Sequence, residues 1–218
     1  MFKTVIFDLD GTLLDTSKDI HKVLNNTLTH FNLPTISLEK TLEYVGNGAK
    51  LLVQRAIPQS AMGNLDEIYA HYAKNFATCD NELTCLYPGE EEVLFNLKKA
   101  GIKLALVTNK PQDATEGVYE KHLKKFNFDF VAGNSQKFPL KPDPALALYA
   151  AQMTGAKAEE CLFVGDGETD VQTAKNAKME HLSVLWGFRT CAQLKAAGAV
   201  NFASDYKELE KFVFCHNQ

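Results

Sequence analysis

Two pairs of carboxylates lie just beyond short apolar runs. Asp8 and Asp10, in Asp8-Leu9-Asp10-Gly11-Thr12, follow Thr4-Val5-Ile6-Phe7, and Asp166 and Asp170, in Gly165-Asp166-Gly167-Glu168-Thr169-Asp170, follow Cys161-Leu162-Phe163-Val164. Side chains alternate along an extended segment, so Asp8 and Asp10 point roughly to one side, where two close carboxylates repel unless a cation lies between them. Carboxylates, carbonyls and water suit Mg²⁺, which commonly takes one or two protein carboxylates together with substrate phosphate oxygens. A plain Asp-Gly turn is the other reading of the first pair, and an N-cap for a helix beginning near Val171 is the other reading of Asp170. Two acidic strand ends facing one crevice are better explained by a metal than by coincidence.

Two further clusters offer what an anionic phosphoryl group needs around its oxygens: a hydroxyl, backbone N–H groups and an ammonium charge. Thr108-Asn109-Lys110 closes the apolar run Ile102–Val107, and Lys141 stands in Leu140-Lys141-Pro142-Asp143-Pro144. Taken singly, Thr108 reads more readily as a strand-end hydroxyl bonded to backbone, and Lys141 as a solvated loop residue.

These residues require strands that end at one edge. Five short apolar runs read as buried strands: Thr4–Phe7, Ile102–Val107, Phe128–Val131, Cys161–Val164 and His181–Leu185. Between the later ones lie helical patterns, with Val93, Leu94 and Leu97 before a capping Gly101, and a Pro144-initiated run ending near Gly155. Strand alternating with helix predicts an α/β fold with a Rossmann-like parallel sheet covered on both faces. About seventy residues separate Asp15 from Pro88, far more than an ordinary βα loop. Within them Ile20, Val23, Leu24, Leu28 and Phe31, and then Ile68, Tyr69, Tyr72 and Phe76, recur at helical spacing. The expected organisation is a core of residues 1–15 and 88–218 carrying a helical cap of residues 16–87. Its hinges fall near Asp15-Thr16-Ser17 and Tyr87-Pro88-Gly89.

Composition narrows the partners. The 218 residues are 45% hydrophobic and 23% charged, with a formal net charge of −4. That excludes a disordered chain and a general basic field for nucleic acid or an anionic membrane. No run approaches the ~20 apolar residues of a membrane span, and the start has no signal-peptide shape, so a cytoplasmic protein is expected. Five scattered cysteines without a C-x-x-C pair fit reduced thiols rather than a disulfide framework or a zinc site, with Cys161 in the core.

In order, the segments Asp8-Leu9-Asp10-Gly11-Thr12-Leu13, Val107-Thr108-Asn109-Lys110, Lys141-Pro142-Asp143-Pro144 and Val164-Gly165-Asp166-Gly167-Glu168-Thr169-Asp170 resemble the four motifs of the haloacid dehalogenase superfamily of phosphohydrolases. The resemblance implies a helical cap between the first two motifs, Asp8 as nucleophile and Asp10 as the acid and base. It implies Mg²⁺ among Asp8, the Asp10 carbonyl and Asp166, with Asp170 ordering water around it. Thr108, Asn109 and Lys141 would hold the phosphoryl group. Within the superfamily, Tyr44-Val45-Gly46-Asn47-Gly48-Ala49, followed by Leu51-Leu52 and Arg55-Ala56, resembles the cap segment of phosphoglycolate phosphatases. Hydrolysis of 2-phosphoglycolate to glycolate and phosphate is therefore expected, with Gly46, Asn47, Gly48, Lys50 and Arg55 near the substrate carboxylate. A phosphatase or phosphomutase acting on sugar phosphates or pyrophosphate is the alternative. A receiver-like signalling module is disfavoured, because it needs neither the cap nor Asp10. The expected partner is a small phosphorylated metabolite, and the expected assembly a monomer or homodimer.

Overall fold

A computed structural model describes residues 1–135 and 137–217. Period-two alternation sends the side chains of each central strand to two opposite apolar layers. In β1 (Thr4–Phe7), Val5 and Phe7 face one layer and Ile6 the other. In β4 (Lys103–Pro111), Leu104 and Leu106 oppose Ala105 and Val107; in β6 (Cys161–Gly165), Leu162 and Val164 oppose Cys161 and Phe163. The last strands are β5 (Phe130–Asn134), β7 (Glu180–Val184) and β8 (Phe202–Ala203). Among the described residues the sheet has six strands in the order β5-β4-β1-β6-β7-β8, all paired in parallel. The two acid-bearing strands β1 and β6 are thus neighbours at the centre, with Phe7 opposite Val164.

Helices cover both faces, including α5 (Glu90–Lys99), α7 (Ala145–Met153) and α8 (Glu168–Ala177). Strand β4 runs past the apolar stretch through Thr108, Asn109 and Lys110, with a shift in its pairing to β5 between Val107 and Pro111. The third strand begins two residues later than the sequence predicts, because the Asp129 carboxylate at its entrance is taken up by Lys98, Lys103 and the Leu104 N–H.

Between β1 and α5 stand α1 (Ser17–His30), α2 (Leu38–Tyr44), α3 (Ala49–Ala56) and α4 (Leu65–Ala77). Their apolar stripes meet in a cluster of their own containing Ile20, Leu24, Leu28, Leu52, Val53, Ile68, Tyr72 and Phe76. The chain enters and leaves this helical layer through a two-residue antiparallel pair, β2 (Leu14–Asp15) with β3 (Cys85–Leu86). Buried Asp19 ties the two crossings together, its Oδ2 accepting from the Leu83 N–H (3.0 Å) and the Thr84 hydroxyl (2.7 Å). No helix among the described residues is long and apolar enough to cross a membrane.

Leu24 is fully buried in the helical layer. Leu24→Ala leaves a cavity there, and the expected loss of unfolding free energy is about 2–5 kcal/mol, read as a lower urea midpoint; an unchanged midpoint contradicts the assignment of this layer as a packed core.

Candidate active site

The peptide after β1 continues the central ladder, with the Asp8 N–H donating to the Val164 carbonyl (2.9 Å), so the sheet sets where Asp8 leaves its edge. The chain then turns tightly: the N–H groups of Thr12, Leu13 and Leu14 all converge on the Leu9 carbonyl. Gly11 sits in this turn at φ +84°, and a Cβ there would overlap the Asp166 carboxylate. Gly165 makes the same kind of room for Asp170. Small residues therefore let three carboxylates approach one another. Asp8, Asp166 and Asp170 are all buried, and each offers an oxygen within 4.8 Å of the others.

Burial acts on this cluster first, and mutual repulsion adds to it. Asp166 is pushed up to about 8 by desolvation together with the charges of Asp170 and Asp8. Its oxygens have modest compensation, a 3.2 Å bond from the Thr12 hydroxyl and a 2.7 Å bond from the Phe188 N–H. Asp8 is raised to about 6, again chiefly by burial, with Lys141 pulling the other way. The Lys141 ammonium lies 2.8 Å from Asp8 and 2.6 Å from Asp170. Its own burial disfavours the charge, but those two carboxylates prevail and raise it above the usual lysine value. An Asp₃ oxygen set with excess negative charge fits a hard divalent cation.

The expected phosphoryl ligands surround this cluster. Asn109 is fully engaged: its Oδ1 accepts from the Lys141 N–H (2.8 Å), and its Nδ2 donates to the carbonyls of Lys141 (3.1 Å) and Gly46 (3.0 Å). It therefore sets the position of the Lys141 backbone. Thr108 is buried on the cavity wall, its hydroxyl accepting from the Lys110 N–H. Asp170, at the third position of α8, accepts from the Gly167 N–H (2.9 Å), so it secures the helix start and the lysine together.

Asp10 lines the cavity, but its carboxylate lies outside the three-acid cluster. Its Oδ1 accepts from the Thr16 hydroxyl (2.6 Å) and from Lys110 Nζ (3.0 Å). Lys110 is almost wholly buried and lies 4.1 Å from the centre of the Phe76 ring. The residues expected near the substrate carboxylate divide. Gly46 and Gly48 line the cavity, whereas Lys50 is exposed and paired with Asp66, and Arg55 is exposed and bonded to Asn47 and the Tyr44 carbonyl. The structure does not bring Asn47, Lys50 or Arg55 to the cavity wall. Its cationic lining residues are Lys110 and Arg189. Lys110 belongs to a segment the sequence singles out as a unit; Arg189 follows no acidic motif and carries no sequence signal. The remaining wall is mainly apolar, built by Ile20, Val45, Leu52, Phe76 and Phe188 together with Tyr72, whose buried hydroxyl has no hydrogen-bond partner among the described residues.

The raised acids imply a measurable linkage. In the cation-free protein Asp8 and Asp166 hold protons in the folded state that they release near 3.8 when unfolded. Their contribution to stability therefore falls as pH rises from about 4 to about 8. A cation that replaces those protons removes the loss, so the rise in thermal midpoint on adding excess Mg²⁺ is expected to be small at pH 5 and larger at pH 8. A pH-independent increment, or none, contradicts cation binding at this cluster.

Known proteins resemble this chain in sequence and in fold. A protein-family model described as haloacid dehalogenase-like hydrolase matches residues 5–184. A phosphoglycolate phosphatase of Pseudomonas syringae pv. tomato is 36% identical over 197 residues, covering 85% of this chain and 70% of that protein. One from Vibrio parahaemolyticus is 33% identical over 220 residues, covering 97% and 96%. Among solved structures, a candidate phosphoglycolate phosphatase from Lactobacillus delbrueckii subsp. bulgaricus superposes with a TM-score of 0.91 at 28% identity, covering 97% of this chain and 98% of that one. With the family model spanning both acid-bearing strand ends, and relatives above 30% identity aligned over most of its length, this chain is an enzyme of the haloacid dehalogenase-like hydrolase family.

Proposed function

We propose that this phosphatase hydrolyses 2-phosphoglycolate to glycolate and phosphate, with Mg²⁺ as its cation. The observation that carries this reading is a small cavity, about 50 Å³, lined both by Asp8, which Lys141 contacts, with the Thr108 hydroxyl, and by the N-terminus of a helix. Helix α3 starts at Ala49 behind Gly48, which has no side chain to cap it, and both residues line the cavity. The free N–H groups and positive dipole end of such a turn suit a carboxylate. Apart from the Tyr72 hydroxyl, the wall offers little to the several hydroxyls of a sugar, which favours a short two-anion substrate. The named activity of the curated relatives supports the same substrate. In this reading residues 16–87 are the specificity cap on a cytoplasmic enzyme whose core is residues 1–15 and 88–218.

In the mechanism, an Asp8 carboxylate oxygen attacks phosphorus as the bond to the glycolate oxygen breaks, leaving an aspartyl-phosphate. Asp10 donates its proton to that departing oxygen, then takes one from the water that attacks the phosphoenzyme and frees Asp8 and phosphate. Both hydrogen bonds to Asp10 fall on Oδ1, which leaves Oδ2 to move the proton. Lys141, held by Asn109, and the Thr108 hydroxyl stabilise the transferring oxygens. Asp8, Asp166 and the Asp10 carbonyl would hold Mg²⁺, with Asp170 beside them; when bound, it offsets the negative charge of nucleophile and phosphoryl group. Cap closure over the apolar wall excludes bulk water.

The reading is tested by phosphate release with Mg²⁺ across 2-phosphoglycolate, glucose 6-phosphate and pyrophosphate. The expected kcat/KM for phosphoglycolate exceeds the others by roughly ten- to a hundred-fold, the size of one charge-assisted contact; a higher value for either competitor overturns the substrate assignment. The two aspartates separate in a second assay. Asp8→Asn abolishes turnover of every substrate, whereas Asp10→Asn retains measurable single-turnover release of nitrophenol from 4-nitrophenyl phosphate, whose leaving group needs little protonation. Turnover by Asp8→Asn, or equal silence of both variants, contradicts the assigned roles.

A further inference from the structure

The phosphoryl chemistry leaves Arg189 without a task, yet this residue, on the loop after β7, is nearly buried against the cavity. Its Nε donates to Glu168 Oε2 (2.9 Å), at the start of α8. Its Nη1 donates to the Leu42 carbonyl (2.7 Å) and its Nη2 to the Val45 carbonyl (2.5 Å). Those carbonyls belong to the last turn and C-cap of α2, where unpaired acceptors and the negative dipole end attract a cation. Asn109 takes the next carbonyl, that of Gly46, and the Gly46 Cα faces the same guanidinium. Gly48 closes the segment against the Leu140 side chain. Two side chains of the core thus bind three main-chain carbonyls within five residues of the cap. That stretch leads directly into the Gly48–Ala49 turn that opens α3.

We propose that Arg189 is a positioning residue: its guanidinium clasps the Leu42–Gly46 main chain to the start of α8 and so holds the first turn of α3 over the phosphoryl site. The inference rests on the reading of that turn as the recognition element for the far end of the substrate. Because the contacts go to main-chain carbonyls, the clasp fixes where the N–H groups stand without itself touching substrate. It also ties the cap to α8, the helix that carries Asp170, so cap position and acid cluster share one reference. Loosening it widens the set of cap positions and relaxes selection, while the core groups that act on phosphorus stay in place.

The test compares the full-length wild type with Arg189→Met, and with Glu168→Gln, which keeps the guanidinium but weakens its anchor. Hydrogen exchange is expected to quicken in amides 42–51 and to stay unchanged in β1 and β6 for Arg189→Met, with a smaller change in the same direction for Glu168→Gln. In turnover, kcat/KM for 2-phosphoglycolate is expected to fall roughly ten- to a hundred-fold in Arg189→Met, mostly through KM, while 4-nitrophenyl phosphate loses less than about threefold. Unchanged exchange in 42–51 overturns the clasp. Equal losses on both substrates with quicker exchange throughout the sheet also overturn it, and place Arg189 in general stability. If the wild type proves inactive on phosphoglycolate, the substrate reading fails alone, because the exchange experiment still decides the clasp.

Discussion

Everything at this site follows from burying three carboxylates at the end of one parallel sheet. Desolvation of Asp8, Asp166 and Asp170 is costly, and their mutual repulsion adds to the cost. One lysine is placed against two of them, and the third is left with a hydroxyl and a single backbone N–H. The deficit of positive charge is the physical demand for a cation. Glycines 11, 165 and 187 serve the same constraint, since a methyl group at any of them would occupy space taken by Asp166 or Asp170.

The lysine that offsets this charge is itself dependent on a strand end. Strand β4 carries Asn109 to the crevice, and the Asn109 amide grips the Lys141 main chain from both sides. Asp170 then receives the ammonium while securing the start of α8. Groups from β4, from the loop before α7 and from α8 are therefore interlocked, and removing any one leaves a buried partner unsatisfied.

The helical layer completes the environment rather than the chemistry. Its apolar wall lowers the dielectric around the acid cluster, which strengthens each charge interaction inside. Lys110 joins the two layers by placing one buried ammonium between the Asp10 carboxylate and the Phe76 ring. The paired crossing of β2 with β3, braced by Asp19, gives the layer a defined root.

The amino-acid sequence by itself determined five of the six sheet strands described, missing the two-residue β8, along with the order of the acidic motifs and the presence of an inserted helical segment. Each of these is a local property: a period of two or 3.6, or a turn chemistry next to an apolar run. It also brought Asp8, Asp10, Thr108, Asn109, Asp166 and Asp170 to one edge, because they follow parallel strands of one sheet; Lys141, on the loop before α7, was legible through its motif and not through a strand end. Asn47, Lys50 and Arg55 were legible as polar residues near a glycine turn, but the direction in which α3 leaves that turn was not. The fold aims the helix N-terminus inward and leaves Lys50 and Arg55 at the surface. Lys110 meets Asp10 across 100 residues of chain, and Arg189 meets Leu42 across 147. Contacts of that separation have no periodicity to betray them. They exist only where packing of the helical layer on the sheet has already brought the two segments together, so the tertiary structure alone decided which cations face the cavity.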